Sequence, residues 1–352
     1  MESYAGYTIS FAPISESKTL ALAQCCKVCV AVFVFLSAYG ITISFMKKER
    51  ETDCTLRELY LDNFCRYIKL LSGFIVIYIL AQIFSFLGRS NTEVYGAGMR
   101  KVVYIVLDLL GTATIFSTPT FNPTWWYMGL VITILLLLPL LYRTVRYIGV
   151  FIFPLSVVIP RMLGLQFTSL HWWLLTMCMG IWFAREGVFE KIHKIKAGRI
   201  GRFCKVILSA VLLLFMAYFR HKTGFFLDIT DAFMAILIIY ICFEVFAKSK
   251  DKVKYIAGFT GKYSMNMFLA HTFFKLYYFK DFTYSFQNAW LILLMLTITT
   301  LLFSVCVEKI KAFSGYNKMV GRLIVNIRQR YRDDERILHI HRDGNGIQHY
   351  GD

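Results

Sequence analysis

The sequence predicts an all-α fold, a polytopic transmembrane helix bundle of about nine spanning helices plus one interfacial or re-entrant segment. Three observations predict it. The 352 residues are 57% hydrophobic and only 17% charged, against roughly 25% charged in soluble domains. The apolar residues fall in runs that approach the ~20 a spanning helix needs. Lys and Arg gather in the short segments between the runs, the bias that orients multispanning proteins.

The runs lie near 25–46, 67–88, 124–142, 147–161, 169–184, 203–219, 226–247, 262–279 and 287–307. Trp125, Trp126 and Tyr127 open one span behind Pro123, and His171, Trp172 and Trp173 open another. Such aromatic belts mark membrane–water interfaces. Residues 102–117 are a weaker run, broken by Asp108 and Gly111.

Loop charge decides whether that weaker run crosses. The segments 47–66, 143–146, 185–205 and 248–262 and the tail after 308 are all basic, so all five are expected in the cytoplasm. The first two share a side only if 102–117 does not span. It then lies on the outer face or dips into it, as protein-covered backbone is free to do. The chain divides into an extracytoplasmic segment 1–24, a membrane domain 25–308 and a cytoplasmic basic tail 309–352. That tail is polar enough to be expected partly disordered.

The net charge of +17 follows from the same bias and does not indicate nucleic acid. Anionic lipid headgroups are an expected secondary contact. Of the nine cysteines, seven (Cys25, Cys26, Cys29, Cys178, Cys204, Cys242 and Cys306) sit in or at the edge of apolar runs, where a thiol behaves as a small hydrophobe. His339 and His341 alternate in the tail without the further ligands a metal needs, so no metal is expected.

Four constellations bear on chemistry. The stretch Gly261–His271 carries Ser264, Asn266 and His271 into an apolar run. An ionisable group inside a span is a functional candidate, and Ser264 and His271, seven apart, share a helix face. His271 is the candidate base and Ser264 its candidate companion. Arg66 and Lys69 open the second span, where two cations oppose the helix dipole and call for anionic company, ligand phosphates or lipid headgroups. Asp228 and Asp231 face Arg220, His221 and Lys222 across a short turn, either as a polar substrate site or as ion pairs closing two helices. Glu244 and Lys248 form an i, i+4 pair that needs no function. No phosphate-binding loop, nucleophile elbow or metal-binding helix motif is present.

Four stretches, in order, resemble the acyltransferase-3 family of bacterial multispanning acyltransferases. Val32-Phe33-Val34-Phe35-Leu36-Ser37-Ala38-Tyr39-Gly40-Ile41 is similar to the family's FFxLSGFxI-type helix, with Ala38 in place of the usual glycine. Arg66-Tyr67-Ile68-Lys69 stands where the family has a basic cluster. Pro123-Thr124-Trp125-Trp126-Tyr127 and the run to Pro139 resemble its W-F-L…Y-L-x-P segment. Gly261-Lys262-Tyr263-Ser264…Phe268-Leu269-Ala270-His271 resembles its G-x-x-S-x-x-x-Y-L-x-H segment.

The resemblance implies transfer of an acyl group, often acetyl, from cytoplasmic acyl-CoA to a hydroxyl of an extracytoplasmic glycan or lipid-linked sugar. It implies a multi-pass protein of the bacterial cytoplasmic membrane, and leaves homo-oligomerisation open. Arg66 and Lys69 would then hold CoA phosphates, and Asp228, Asp231 and Asn266 would line the acceptor site. The family's first helix carries an arginine and a histidine, the latter its base, and no equivalent stands before residue 25. An outside N-terminus without a signal peptide points to the same gap. Such a chain is expected to be a poor or inactive acyltransferase. The alternatives are an inactive family member and a transporter-like protein.

Overall fold

A computed structural model describes residues 3–4, 7–51, 54–164, 170–195, 198–224, 226–247 and 249–345. A two-stranded hairpin, β1 (Ser3–Tyr4) with β2 (Tyr7–Thr8), precedes the helices. In order these are α1 (Glu16–Cys26), α2 (Cys29–Glu51), α3 (Leu56–Ile83), α4 (Asn91–Tyr95), α5 (Met99–Leu109), α6 (Trp126–Ile148), α7 (Ile152–Met162) and α8 (Leu170–Glu186). There follow α9 (Val188–Lys194), α10 (Arg199–Thr223), α11 (Leu227–Ala247), α12 (Asp251–Thr272), α13 (Lys280–Tyr284), α14 (Ala289–Phe313) and α15 (Tyr316–Asn345).

A helix falls in each of the nine expected stretches, and the fold is an all-α polytopic bundle. Among the described residues, six helical stretches are long and apolar enough to cross a membrane. Over residues 205–219 of α10 the exposed side chains are themselves apolar, Leu208, Val211, Leu214 and Phe215 among them. That is a face made for lipid rather than water.

Two segments are shorter or more polar than a crossing helix. At 11 residues, α7 is about 16 Å long, half the hydrocarbon thickness. Its last turn nevertheless reaches α11, where Arg161 pairs with Asp228. Residues 251–262 of α12 are almost wholly exposed and carry Lys252, Lys254 and Lys262. The apolar half of α12 continues through a π turn, Phe273–Tyr277.

The interior is built on α2, α6 and α8. Val34, Ala38, Phe45, Ile134, Leu138, Tyr142, Met177, Cys178 and Ile181 are all buried in one cluster. The approach of α2 to α8 turns on small residues. A methyl group placed on Gly180 would stand 2.7 Å from the Phe35 carbonyl oxygen and 3.0 Å from the Ala38 Cβ. Small residues let membrane helices close to this distance. They explain why position 38 accommodates alanine: Gly180, opposite, leaves room for its methyl group.

Ion pairs divide the bundle into two ends. At one end lie Glu49 with Arg143 and Arg146, Asp62 with Lys48 and Arg328, and Glu308 with Lys311. This is the basic end. At the other, Arg161 meets Asp228 and Arg220 meets Asp231. The N-terminal segment caps that end. Ser10 exchanges backbone hydrogen bonds with Gln287 and Ala289 before α14, and Gln24 accepts from Arg220.

The weak run at 102–117 resolves into α5 and a turn-rich connection. Its buried Asp108 accepts from Tyr95 Oη at 2.6 Å, Thr120 Oγ1 at 2.8 Å and the Phe121 amide at 2.7 Å. One carboxylate thus ties together α4, α5 and the segment that leads into α6.

Part of the tail carries regular structure. Over Tyr316–Asn345 it is helical, because Tyr316, Val320, Ile324, Ile327 and Tyr331 repeat at helical spacing and turn inward. Tyr316 donates to the Ser72 carbonyl at 3.1 Å, and Arg57 covers the Tyr331 ring. The side chains of His339 and His341, and all of His349, lie outside the described residues. Glu244 is buried and meets His193 Nδ1 at 3.1 Å. Lys248 lies outside the described residues.

Candidate functional site

Three helix C-termini converge at the basic end. α2 contributes Met46, Glu49 and Arg50 from one face. α6 contributes Tyr142, Arg143 and Arg146, and α8 contributes Arg185. Cations suit helix C-termini because they oppose the negative end of the dipole. Here three such ends bring four arginines and one glutamate around a cavity of about 490 Å³. That volume is within the range of small-molecule sites.

Glu49 organises the cavity. Its Oε2 accepts from Tyr142 Oη at 2.5 Å, and its Oε1 faces Arg143 Nη1 at 3.6 Å and Arg146 Nη1 at 3.9 Å. The second Arg143 nitrogen, Nη2, donates to the Cys54 carbonyl. Arg185 lies over the Tyr142 ring, 5.1 Å from its centroid, and its Nη1 is buried without an acceptor. One carboxylate cannot neutralise four guanidinium groups, so the cavity has donors left for an anion. Arginine forks match phosphate oxygens in pairs.

Cys54 also lines the cavity. Burial pushes its thiol up to about 11. A thiol held that high is protonated at neutral pH, which argues against a covalent acyl-cysteine here.

The residues singled out in the sequence do not assemble into one site. Arg66 lines a second basic cavity, on the other side of α2, and donates to Ser44 Oγ at 2.7 Å. Lys69 is exposed and lines neither cavity, so the two cations are not a joined pair. Asn266 donates to Glu308 Oε1 at 2.9 Å, in an ionic cluster with buried Lys311. That places it in the basic half, away from the acidic pair. Asp228 accepts from one nitrogen of Arg161, Nη2, which lies 2.8 Å from each carboxylate oxygen. Asp231 accepts from Arg220 at 2.5 Å and 3.3 Å. Both are clasps between helices, α7 to α11 and α10 to α11.

Ser264 and His271 share a helix but not a hydrogen bond. Seven residues of α12 separate them by about 10 Å, and the Ser264 hydroxyl is spent on the Gly261 carbonyl at 2.8 Å. His271 stands near the start of α6 instead. Its Nδ1 lies 2.7 Å from the Phe268 carbonyl oxygen, and Nε2 lies 3.5 Å from Thr272 Oγ1. A carbonyl only accepts, so Nδ1 carries the proton and Nε2 keeps its lone pair. Around it, Thr272 donates to Thr124, and Thr124 to Asn122 Oδ1. Asn122 and the Trp125 indole both donate to the Leu269 carbonyl. These polar contacts hold the last turn of α12 against the start of α6.

Between the two regions runs a dry column. Tyr127, Leu130, Ile134, Leu135 and Leu138 of α6 are all buried. Tyr127 meets Phe268, one turn before His271, with ring centroids 5.1 Å apart. Fifteen residues of α6 separate Tyr127 from Tyr142, about 22 Å of rise.

Arg143 and Arg146 are visible in the sequence as a basic turn. Nothing in their spacing announces Glu49 or Arg185, which meet them only through the packing of α2, α6 and α8. A family model described as an acyltransferase domain, Acyl_transf_3, matches residues 3–309. No curated protein matches the chain, and no solved structure does.

Proposed function

Because the chain belongs to the acyltransferase-3 family, and is by that membership a membrane acyltransferase, we propose that the arginine-lined cavity holds the phosphates of an acyl-CoA donor. The carrying observation is the set of four arginines around one glutamate, with a buried guanidinium nitrogen of Arg185 left without an acceptor. This replaces Arg66 and Lys69 as the donor site. The basic end is the cytoplasmic end, where CoA is found, and the tail with α15 lies on that side.

The acceptor is a hydroxyl, on a glycan or a lipid-linked sugar, arriving from the opposite end. In the transfer, the hydroxyl oxygen attacks the thioester carbonyl carbon. The carbon–sulfur bond breaks, the ester forms, and CoA leaves as its thiol once a proton is restored. His271 Nε2 is the group that takes the hydroxyl proton, since its lone pair is unused and its other nitrogen is anchored. General-base assistance of this kind contributes about 10²–10⁴-fold.

The inactive-member reading rests on one observation. His271 has no carboxylate or arginine within hydrogen-bond distance among the described residues, only Thr272 and its own helix backbone. Transfer of radiolabelled acetyl from acetyl-CoA by the purified chain in lipid nanodiscs, with a sugar acceptor, separates the two. An active chain whose turnover falls at least a hundredfold in His271→Gln, with CoA binding intact, supports the enzyme. Equal rates in His271→Gln remove His271 as the base.

A further inference from the structure

A second basic cavity, separate from the donor site, measures about 550 Å³ and lies between α2, α3 and α15. Five cations line it: Lys47, Lys48, Arg66, Arg328 and Arg332. Its three carboxylates are already engaged. Asp62 accepts from Lys48 at 3.1 Å and Arg328 at 3.0 Å. Glu58 accepts from the Thr55 amide in the capping box that starts α3. Glu51 faces Lys47 at 4.0 Å.

Among the described residues, Arg66 and Arg332 have no carboxylate at ion-pair distance. Arg66 Nε is buried without an acceptor. The cavity therefore presents guanidinium donors that its own acids do not answer. A phosphate group, with several acceptor oxygens around its negative charge, is the anion that several converging cations fit best.

Two of the five cations come from α15, which lies beyond the residues matched by the family model. The tail helix docks through Tyr316, Val320, Ile324, Ile327 and Tyr331, and Arg328 ties it to Asp62. We propose that this cavity is a second anion site, for a phosphate-bearing ligand, and that its occupation and the docking of α15 are one event. A ligand that binds only when Arg328 and Arg332 are in place stabilises the docked tail by linkage. The phosphate has two candidate sources, a soluble phosphate compound or an anionic phospholipid headgroup of the adjacent leaflet.

Limited trypsin digestion reads the docking, because Arg328, Arg330 and Arg332 are cleavage sites on α15. The full chain is digested in neutral detergent with and without pyrophosphate. It is also digested in nanodiscs of phosphatidylcholine alone or with phosphatidylglycerol. We expect cleavage at 328–332 to slow at least tenfold in one of the two arms. Slowing by pyrophosphate identifies a soluble source, and slowing by phosphatidylglycerol alone a headgroup. The protection disappears in Arg66→Gln and, read at the sites that remain, in Arg332→Gln, an exposed change that leaves the core untouched. It persists in Arg146→Gln, which alters only the first cavity. No protection in either arm, protection that survives Arg66→Gln, or protection abolished equally in Arg146→Gln overturns the proposal.

Discussion

The hydroxyl of Tyr142 stands 2.5 Å from Oε2 of Glu49, although 93 residues separate them in sequence. The contact joins the C-terminal turns of α2 and α6 and holds the single carboxylate of the first cavity to one side. Arg143 and Arg146 approach the other carboxylate oxygen at 3.6 Å and 3.9 Å. These are long contacts in a partly exposed setting and contribute little on their own. Their loose geometry leaves both guanidinium groups able to turn toward a phosphate.

Tyr142→Phe keeps the ring under Arg185 and removes only the hydroxyl. Loss of a hydrogen bond to a charged acceptor costs about 1.5–3 kcal/mol. The freed carboxylate then competes for the arginines. We expect a lowered melting temperature in detergent and several-fold weaker acetyl-CoA binding, measured on the same preparation. Unchanged binding would separate Glu49 from the donor site.

Gly180 is a point of close approach between α2 and α8. A methyl group there meets the Phe35 carbonyl oxygen at 2.7 Å, a backbone atom that cannot swing aside. Gly180→Ala should destabilise the bundle by about 1–3 kcal/mol, the usual cost of overpacking. Thermal unfolding followed by tryptophan fluorescence measures it. Gly258→Ala, where a methyl group meets nothing within 4 Å, should cost far less.

Asp108 makes stability depend on pH. Burial raises its carboxyl above the ordinary aspartate value of 3.8, against the opposing effect of its three donors. A raised folded-state value means that the folded protein binds the proton more tightly than the unfolded chain. The stabilisation is complete below the unfolded value and disappears as pH rises through the folded one. Melting temperatures taken upward from pH 4 should therefore fall more steeply in the parent than in Asp108→Asn. Parallel curves would assign the pH dependence to other groups.

The sequence reveals the fold more fully than the site. The apolar runs locate the helices because spanning length and hydropathy are local properties, and Asp108 marks a segment of a different kind. The tail is expected to be partly disordered because its inward residues are outnumbered by charges, and only their spacing marks the stripe that packs over Tyr316–Tyr331. Arg66 and Lys69 are near neighbours in the pattern, but one lines a cavity completed by Arg328, far later in the chain, and the other is exposed. Ser264 and His271 share a helix face yet stand about two turns apart. The turn between α10 and α11 makes Arg220 a visible neighbour of the acidic pair. That Arg161, on another helix, takes Asp228 is a product of packing alone. The arginine-lined cavity is the extreme case. Its members lie in three basic segments that charge alone explains as topology signals, and their convergence belongs to the tertiary structure.

Binding of the donor phosphates by Arg143, Arg146 and Arg185 is the step on which the proposed function depends. Calorimetric titration of CoA and of pantetheine, which lacks those phosphates, into the parent chain and Arg143→Ala/Arg185→Ala tests it. Removing one charge-assisted hydrogen bond costs about 1.5–3 kcal/mol, or roughly 10- to 150-fold in affinity. CoA binding should weaken by at least tenfold in the double variant, with a shallower salt dependence, while pantetheine binding stays the same. CoA binding that is unchanged in this variant but abolished in Arg66→Gln would refute the assignment, and would move the donor to the cavity beneath the tail helix.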